Sequence, residues 1–344
     1  MMAAKQTMIV NEVKTDVPRP RLLWFDTARG IGIILVVYAH VLRGQTSAKL
    51  LALTPIEQLQ DHAIYAFHMP FFFLLSGLFA GTSVRSPASF IRRRLATIVY
   101  PYLLWSILQT LLSIAASRFA NRPGRWEDLL QIAAHPIGQF WFLYVLAILQ
   151  FMLLLPRPIF YLLIPIGISL VAWFNIGPIP ALVGWYLPFF AAGVFLGARR
   201  LEDLLPQRAA WFWVFIGLAL FVVLFAVVPA FDGAAGLPRK FGLAASGIVM
   251  ILGVSRLLDG RIPLINSLGV ASLAIFVLHV ICGAAIRATL VRLGATQPDL
   301  QVVVITLGGL LIPLGVYRLS ITAGLTTLLG LGAPPASPAR TEGS

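Results

Sequence analysis

One helix-length apolar segment carries three ionisable side chains, and it constrains the fold of this chain more than any other segment. Residues 22–42 are long enough to cross a bilayer as a helix, yet they include Asp26, Arg29 and His40. Ionisable groups in hydrocarbon are costly and are kept mainly where they face a bundle interior or a water-filled cavity. At roughly 100° and 1.5 Å per residue, Arg29 and His40 lie within about 20° of one another and about 16 Å apart along the helix. The segment therefore presents a fixed cation and a titratable imidazole at two depths of one face.

The composition indicates a membrane protein. Hydrophobic residues make up 59% of the 344 positions and charged residues only 11%, a balance outside the usual range of soluble chains. The net charge of +13 could suggest nucleic acid, but the basic residues form short clusters between apolar runs. We therefore expect the lipid bilayer, and no nucleic acid, as a partner.

The apolar runs predict an all-α, polytopic bundle of about ten transmembrane helices. A basic segment, 1–21, precedes one transmembrane domain, 22–331, and a tail rich in Pro and Ala, 332–344, is expected to be disordered. The predicted spans are 22–42, 61–82, 95–117, 138–156, 158–176, 179–198, 209–229, 240–258, 263–286 and 299–317.

Lys and Arg in the connections predict the orientation. With an even number of spans both termini lie on one side, and that side collects the larger share of the basic residues. Cytoplasmic loops are enriched in Lys and Arg, so both termini are predicted to be cytoplasmic. Arg29 then lies toward the cytoplasm and His40 toward the outer face.

The second span adds a histidine and a site of close approach. His68 falls well inside the span, and Pro70 interrupts the hydrogen bonding of the preceding turn. Ser76 and Gly77 permit close approach of another helix or a ligand. His68 is open to two interpretations, a ligand contact or a histidine that is hydrogen-bonded within the bundle.

A basic cluster and an aromatic residue complete the middle of the chain. Arg92, Arg93 and Arg94 precede the third span, where they are typical of a positive-inside anchor and also suit a phosphorylated cytosolic donor. Trp141 at the start of the fourth span is most simply an interfacial aromatic residue.

The ninth span carries His279, and Cys282 follows on the same helical face. A Cys and His nucleophilic pair is conceivable, but apolar surroundings raise the pKa of a thiol and no third orienting group is evident. The five histidines of the chain have few carboxylates near them in the sequence, so we predict no metal site.

Together these motifs resemble the membrane-bound acyltransferase family 3. Residues 25–40 (FDTARGIGIILVVYAH) look like the first helix of the family, in which ten positions separate a basic residue from a histidine. Residues 67–77 (FHMPFFFLLSG) are similar to the second helix of the branch related to fucose 4-O-acetylases. The arginine cluster, WFL at 141–143 and SLAIFVLH at 272–279 follow in the order of the family.

The resemblance implies an O-acetyltransferase of the bacterial inner membrane. Its donor is acyl-CoA, most often acetyl-CoA, taken from the cytosol, and no cofactor is bound tightly. The acceptor is a sugar hydroxyl of a cell-surface or exported glycan, which can be lipid-linked. Transfer through a pore between the first, second, third and ninth spans would move the acyl group directly, with a transient acyl-histidine as a second route.

Carried over by position, the resemblance makes His40 the catalytic base and Arg29 its basic partner. Substrate or donor contacts are expected from the residues Asp26, His68, Ser76, Arg92, Arg93, Arg94, Trp141 and His279. One departure is that the family often has two arginines three positions apart, whereas Thr97 stands three positions after Arg94 here.

A secondary transporter is the alternative from another functional class. Buried His and Arg side chains could relay protons or anions while a glycan or lipid-linked intermediate is exported. Dependence on acyl-CoA separates the two functions, because only the enzyme needs it.

Overall fold

The computed structural model describes residues 22–81, 86–117, 124–174, 176–295 and 297–332, and within these ranges it is helical with no strand. The predicted segment 1–21 and the predicted tail beyond Gly332 lie outside the described residues. The helices are α1 (Leu23–Ser47), α2 (Pro55–Leu78), α3 (Pro87–Arg94), α4 (Tyr100–Ala115), α5 (Trp126–Gln131), α6 (Trp141–Met152), α7 (Arg157–Trp173), α8 (Pro178–Leu204), α9 (Ala210–Val222), α10 (Gly233–Leu258), α11 (Pro263–Val270), α12 (Ser272–Arg292) and α13 (Pro298–Thr322).

The prediction of an all-α membrane bundle is confirmed. Seven helical segments of the described chain are long and apolar enough to cross a membrane, and two further apolar segments, Gly138–Met152 and Arg157–Trp173, are shorter. The 24-residue helix α2 also has the length of a span. Together they match the ten predicted spans in order, and the chain is a multi-pass membrane protein.

Several predicted spans have different boundaries in the structure, and the second and eighth begin earlier, at Pro55 and Gly233. The third begins earlier than residue 95, because α3 and α4 join into one rod, Pro87–Ala115. The ninth, 263–286, is divided at Ala271 into α11 and α12, and α12 continues to Arg292. Gly269 of α11 packs so closely on α1 that a Cβ there would lie 1.8 Å from the carbonyl oxygen of Asp26. Helix α11 therefore packs tightly on α1.

A π-helical turn, Leu95–Val99, joins α3 to α4. Its cause is Pro101, which has no N–H to donate to the carbonyl of Thr97 in the preceding turn, so the hydrogen-bond ladder widens there. Turns of this kind change the direction of side chains and occur often at functional sites.

Helix α1 lies at the centre of the bundle and packs against α2, α10, α11, α12 and α13. Fourteen of its 25 residues are buried, among them Asp26 and Thr27. The hydroxyl of Thr27 donates to Oδ1 of Asn266 at 2.7 Å and accepts from the backbone N–H of Gly260 at 3.2 Å. These contacts fix the end of α1 that carries Arg29.

Candidate active site

Two cavities lie along the same side of α1, one beside Arg29 and one beside His40. The Arg29 cavity has a volume of about 270 Å³, and its polar lining residues include Ser76, Arg94 and Gln150. The His40 cavity is larger, about 700 Å³, and is lined mainly by α1, α4 and α12. Arg29 and His40 therefore face two different cavities.

A wall one helical turn thick separates the two cavities. On α1, Val36 lines the Arg29 cavity and His40 lines the other. On α12, Phe276 lines the Arg29 cavity and His279 lines the His40 cavity. Because four and three residues of a helix span only about 6 and 5 Å, a group bound in one cavity lies close to a group bound in the other.

The contacts of His40 define which ring nitrogen carries its proton. Nδ1 lies 3.0 Å from the carbonyl oxygen of Val36, which can only accept, so Nδ1 carries the proton in the neutral ring. The tautomer is assigned from these contacts. Both hydrogen-bond contacts of His40 within the described structure use Nδ1, so Nε2 keeps its lone pair for a ligand of the His40 cavity. A neutral imidazole in this state is equipped to accept a proton from a hydroxyl group.

His279 contacts His40 directly across the α1–α12 interface. Nε2 of His279 lies 3.3 Å from Nδ1 of His40, and the ring centroids are 5.0 Å apart. Nδ1 of His279 donates to the carbonyl oxygens of Ile275 at 3.0 Å and Phe276 at 2.8 Å. His279 thus presents an acceptor to the protonated nitrogen of His40. Neither ring nitrogen of His279 is left to orient the thiol of Cys282.

Arg29 forms the ion pair with Asp26 that its spacing allows, and it also lines a cavity. Nη1 of Arg29 lies 3.2 Å from Oδ1 of Asp26, and its guanidinium lies 4.8 Å from the ring centroid of Phe79. The Asp26 side chain is 3% exposed and that of Arg29 is 31% exposed. The buried carboxylate therefore anchors the arginine, while part of the guanidinium remains accessible from the cavity.

The three arginines of the basic cluster differ in their exposure and in whether they line a cavity. Arg92 and Arg93 are exposed, whereas Arg94 is half-buried and lines the Arg29 cavity with Thr97. Thr97 thus lines the cavity at the position where the resemblance leads us to expect a second arginine.

Two polar atoms at this cavity have no hydrogen-bond partner in the described structure, Nε of Arg94 and Oε1 of Gln150. Both atoms are buried beneath the cavity surface, and leaving such a group unpaired costs about 1–3 kcal/mol.

Of three other predicted site residues, one lines the Arg29 cavity and two line neither cavity. Ser76 lines the Arg29 cavity, and its hydroxyl donates to the carbonyl of Phe72 at 2.8 Å. His68 lines neither cavity, is 1% exposed and donates from Nδ1 to the carbonyl of Ile64 at 2.8 Å. Trp141 also lines neither cavity and stacks on Tyr186 with 5.3 Å between centroids. The structure thus brings Arg29, Ser76 and Arg94 together but places His68 and Trp141 apart.

Several residues near the cavities have no part in the sequence prediction of the site. Arg43, one turn beyond His40, binds both carboxylate oxygens of Asp61 at 2.8 and 2.9 Å and ties α1 to α2. The His40 cavity is also lined by the polar residues Gln45, Gln109, Ser113, Arg287, Thr289 and Arg292. Polar residues within predicted spans were the available signal for Gln109 and Gln150, whereas Gln45 lies beyond the predicted span 22–42.

The described residues contain no group of three or more His, Cys, Asp or Glu arranged to hold a metal ion. The nearest pair, His40 and His279, uses three of its four ring nitrogens within the protein. The arrangement suits proton transfer beside a cavity that is lined by two arginines.

Comparison with known proteins gives a family. The family described as "Acyltransferase domain" (acyltransferase 3) matches residues 22–318. The nodulation protein NolL of Sinorhizobium fredii is 33% identical over 202 residues, which cover 53% of this chain and 50% of that protein. NolL of Mesorhizobium japonicum is 28% identical over 138 residues, which cover 39% of this chain and 35% of that protein. The aligned regions thus span half or less of these curated relatives, and no solved structure matches the chain. Because the family match extends over nearly the whole helical bundle, the chain belongs to the acyltransferase 3 family.

Proposed function

We propose that this protein transfers an acyl group, most often acetyl, from cytosolic acyl-CoA to a sugar hydroxyl. The observation that carries the proposal is the meeting of the Arg29 cavity and the His40 cavity across one helical turn. The Arg29 cavity supplies cations, which suit the anionic acyl-CoA donor. The His40 cavity supplies a base, which suits the acceptor hydroxyl. The family of the chain supports the same reaction.

The Arg29 cavity suits the donor. Guanidinium groups bind phosphate with charge-assisted hydrogen bonds. Arg92 and Arg93 are exposed next to Arg94, which lines the cavity. At about 270 Å³ the cavity is at the small end of ligand sites, so it accommodates a narrow thioester arm and leaves the nucleotide outside. The predicted orientation puts this cavity toward the cytoplasm, where acyl-CoA is made.

The His40 cavity suits the acceptor. The amides of Gln45 and Gln109 and the hydroxyls of Ser113 and Thr289 line it and can bind the hydroxyl groups of a sugar. The donor and acceptor would therefore enter from opposite ends of α1. We expect the acceptor to be part of an exported or cell-surface glycan, and the protein to reside in the bacterial inner membrane.

The chemical step places His40 between the two substrates. Nε2 of His40 takes the proton of the acceptor hydroxyl while the hydroxyl oxygen attacks the thioester carbonyl. The new ester C–O bond forms, the C–S bond breaks, and the CoA thiolate takes up a proton. The thioester has to reach past Val36 and Phe276 to meet the acceptor. General-base assistance of this kind contributes roughly 10²–10⁴ to the rate.

Transfer of radiolabel from acetyl-CoA tests the proposal. Membranes that contain the protein are expected to convert labelled acetyl-CoA into a sugar ester in a glycan fraction, and membranes without it are not. If folded protein gives no ester with acetyl-CoA or longer acyl-CoA, but a proton gradient drives export of a glycan without acyl-CoA, the enzyme assignment is wrong and the transport alternative replaces it.

His279 is a positioning residue in this mechanism, since it contacts His40 and not the reacting atoms. We expect His279→Phe to lower kcat for acetyl transfer by about tenfold while KM for acetyl-CoA stays the same, because Nδ1 of His40 loses an acceptor worth about 1–1.5 kcal/mol. His279→Gln keeps an acceptor and should restore most of the activity. Equal losses in the two variants would argue against this role.

A further inference from the structure

Two arginines of α12, Arg287 and Arg292, line the His40 cavity. The described residues that line this cavity include no Asp or Glu. Arg292 lies in the last turn of α12, where a cation interacts favourably with the helix dipole. Arg287 comes before that turn, within a helix that is long and apolar enough to cross a membrane. An ionisable residue in such a helix is costly and points to a functional site.

The predicted orientation gives Arg287 no role as a topology signal. With both termini cytoplasmic, this end of α12 lies toward the outer face, as His40 does. The Lys and Arg residues that orient a membrane protein collect in its cytoplasmic loops instead. The position of Arg287 therefore calls for another explanation, which its contacts supply.

The guanidinium of Arg287 lies one helical turn beyond His40. Its Nη1 is 3.4 Å from the carbonyl oxygen of Gly44, and Gly44 follows His40 on α1 by four residues, a rise of about 6 Å. All three residues line the cavity, and Arg287 is partly exposed. A Cβ added to Gly44 would meet no atom within 4 Å, so the space beside this glycine is open. The base and the guanidinium thus border one open space at adjacent levels.

We propose that Arg287 binds an anionic group, a carboxylate or a phosphate, on the sugar that is acylated. This inference rests on the proposed function, in which the acceptor hydroxyl lies at Nε2 of His40, and it adds the substrate class. A guanidinium binds either anion through charge-assisted hydrogen bonds that are often bidentate. One helical turn is comparable to the width of a single sugar ring. The charge therefore belongs on the ring that carries the hydroxyl, and Arg292 adds to the positive field that attracts it.

Acceptor kinetics test this assignment. Arg287→Gln removes the charge and keeps a hydrogen-bonding side chain. We expect KM for the glycan fraction to rise about tenfold, with kcat and KM for acetyl-CoA within about twofold of the parent, because a charge-assisted hydrogen bond is lost. Arg287→Lys keeps the charge and should restore most of the affinity. An unchanged KM for the glycan fraction in Arg287→Gln overturns the assignment.

The matched control is Arg125→Gln, which removes the same charge from another residue of the predicted outer side. The Arg125 side chain is 72% exposed and lines neither cavity. This variant is expected to leave both KM values unchanged. An equal rise in KM for the glycan fraction would overturn the inference, since the effect would then be one of overall charge.

Binding of sugar probes separates this inference from the proposed function, because it needs no acyl transfer. Glucose, glucuronate and glucose-1-phosphate share one ring and differ in its charged group. Saturation-transfer NMR with the detergent-solubilised protein gives their dissociation constants. We expect one of the two anions to bind about tenfold more tightly than glucose, and Arg287→Gln to abolish this preference. The anion that binds more tightly tells a carboxylate from a phosphate.

Loss of the preference in Arg287→Gln supports the inference even if no acetyl transfer is detected. Equal binding of the three probes, no binding of either anion, or a preference that survives in Arg287→Gln overturns it. Binding of desulfo-CoA that is weakened by Arg287→Gln, with the sugar probes unaffected, also overturns it, because the arginine would then serve the donor.

Discussion

Replacing His40 with alanine is expected to lower kcat for acetyl transfer by roughly 10²–10⁴ and to leave KM for acetyl-CoA nearly unchanged. The reason is geometric. Nδ1 of His40 is committed to the carbonyl of Val36, and Nε2 remains to take the proton of the acceptor in the larger cavity. The donor occupies the other cavity, behind Val36, and does not depend on the imidazole for binding. The measurement is initial-rate kinetics with radiolabelled acetyl-CoA in purified membranes.

A matched control for this variant is His62→Ala. His62 is exposed on α2 and lines neither cavity, so its loss should change neither kcat nor KM. Expression and the thermal unfolding midpoint should be similar for both variants, since His40 makes one backbone contact within its own helix and one long contact to His279. A folded His40→Ala protein with full activity would rule out the role of His40 as the base.

Hydrophobic patterning predicted the helices well and their ends poorly. The all-α bundle and the order of its spans were predictable because apolar runs of bilayer length have few other solutions. The division at Ala271 was not, because α11 and α12 form one continuous apolar run in the sequence. Gly269 of α11 packs closely on α1, and such a contact depends on the fold as a whole.

The sequence located parts of the candidate site but could not group them. The expense of ionisable residues in hydrocarbon pointed to Arg29 and His40, and helix geometry put them on one face of α1. Their separation into two cavities depends on Phe276 of α12, which nothing in α1 reveals. Gln150 followed the same rule as Arg29, since it is a polar residue in an apolar span, but an uncharged amide gives a weaker signal. The catalytic and binding roles of all these residues remain predictions.

The crossing of α2 and α8 depends on paired glycines. A Cβ on Gly77 would lie 2.1 Å from the carbonyl oxygen of Phe190, and a Cβ on Gly193 would lie 2.2 Å from that of Leu74. Both contacts involve backbone, which cannot turn aside as a flexible side chain can. Small residues at such crossings let two membrane helices approach closely and gain van der Waals contact. Gly77 also follows Ser76 of the Arg29 cavity, so this crossing supports one wall of the candidate site.

Gly77→Ala is therefore expected to destabilise the protein, by about 1–3 kcal/mol, because the added methyl group forces the two helices apart. The control is Gly315→Ala in α13, where a Cβ would meet no atom within 4 Å. There the same substitution should be neutral or stabilising by up to about 1 kcal/mol, since alanine favours the helix. The measurement is the thermal unfolding midpoint of both detergent-solubilised variants. We expect a lower midpoint and lost acetyl transfer for Gly77→Ala only; equal midpoints would contradict the close packing of α2 on α8.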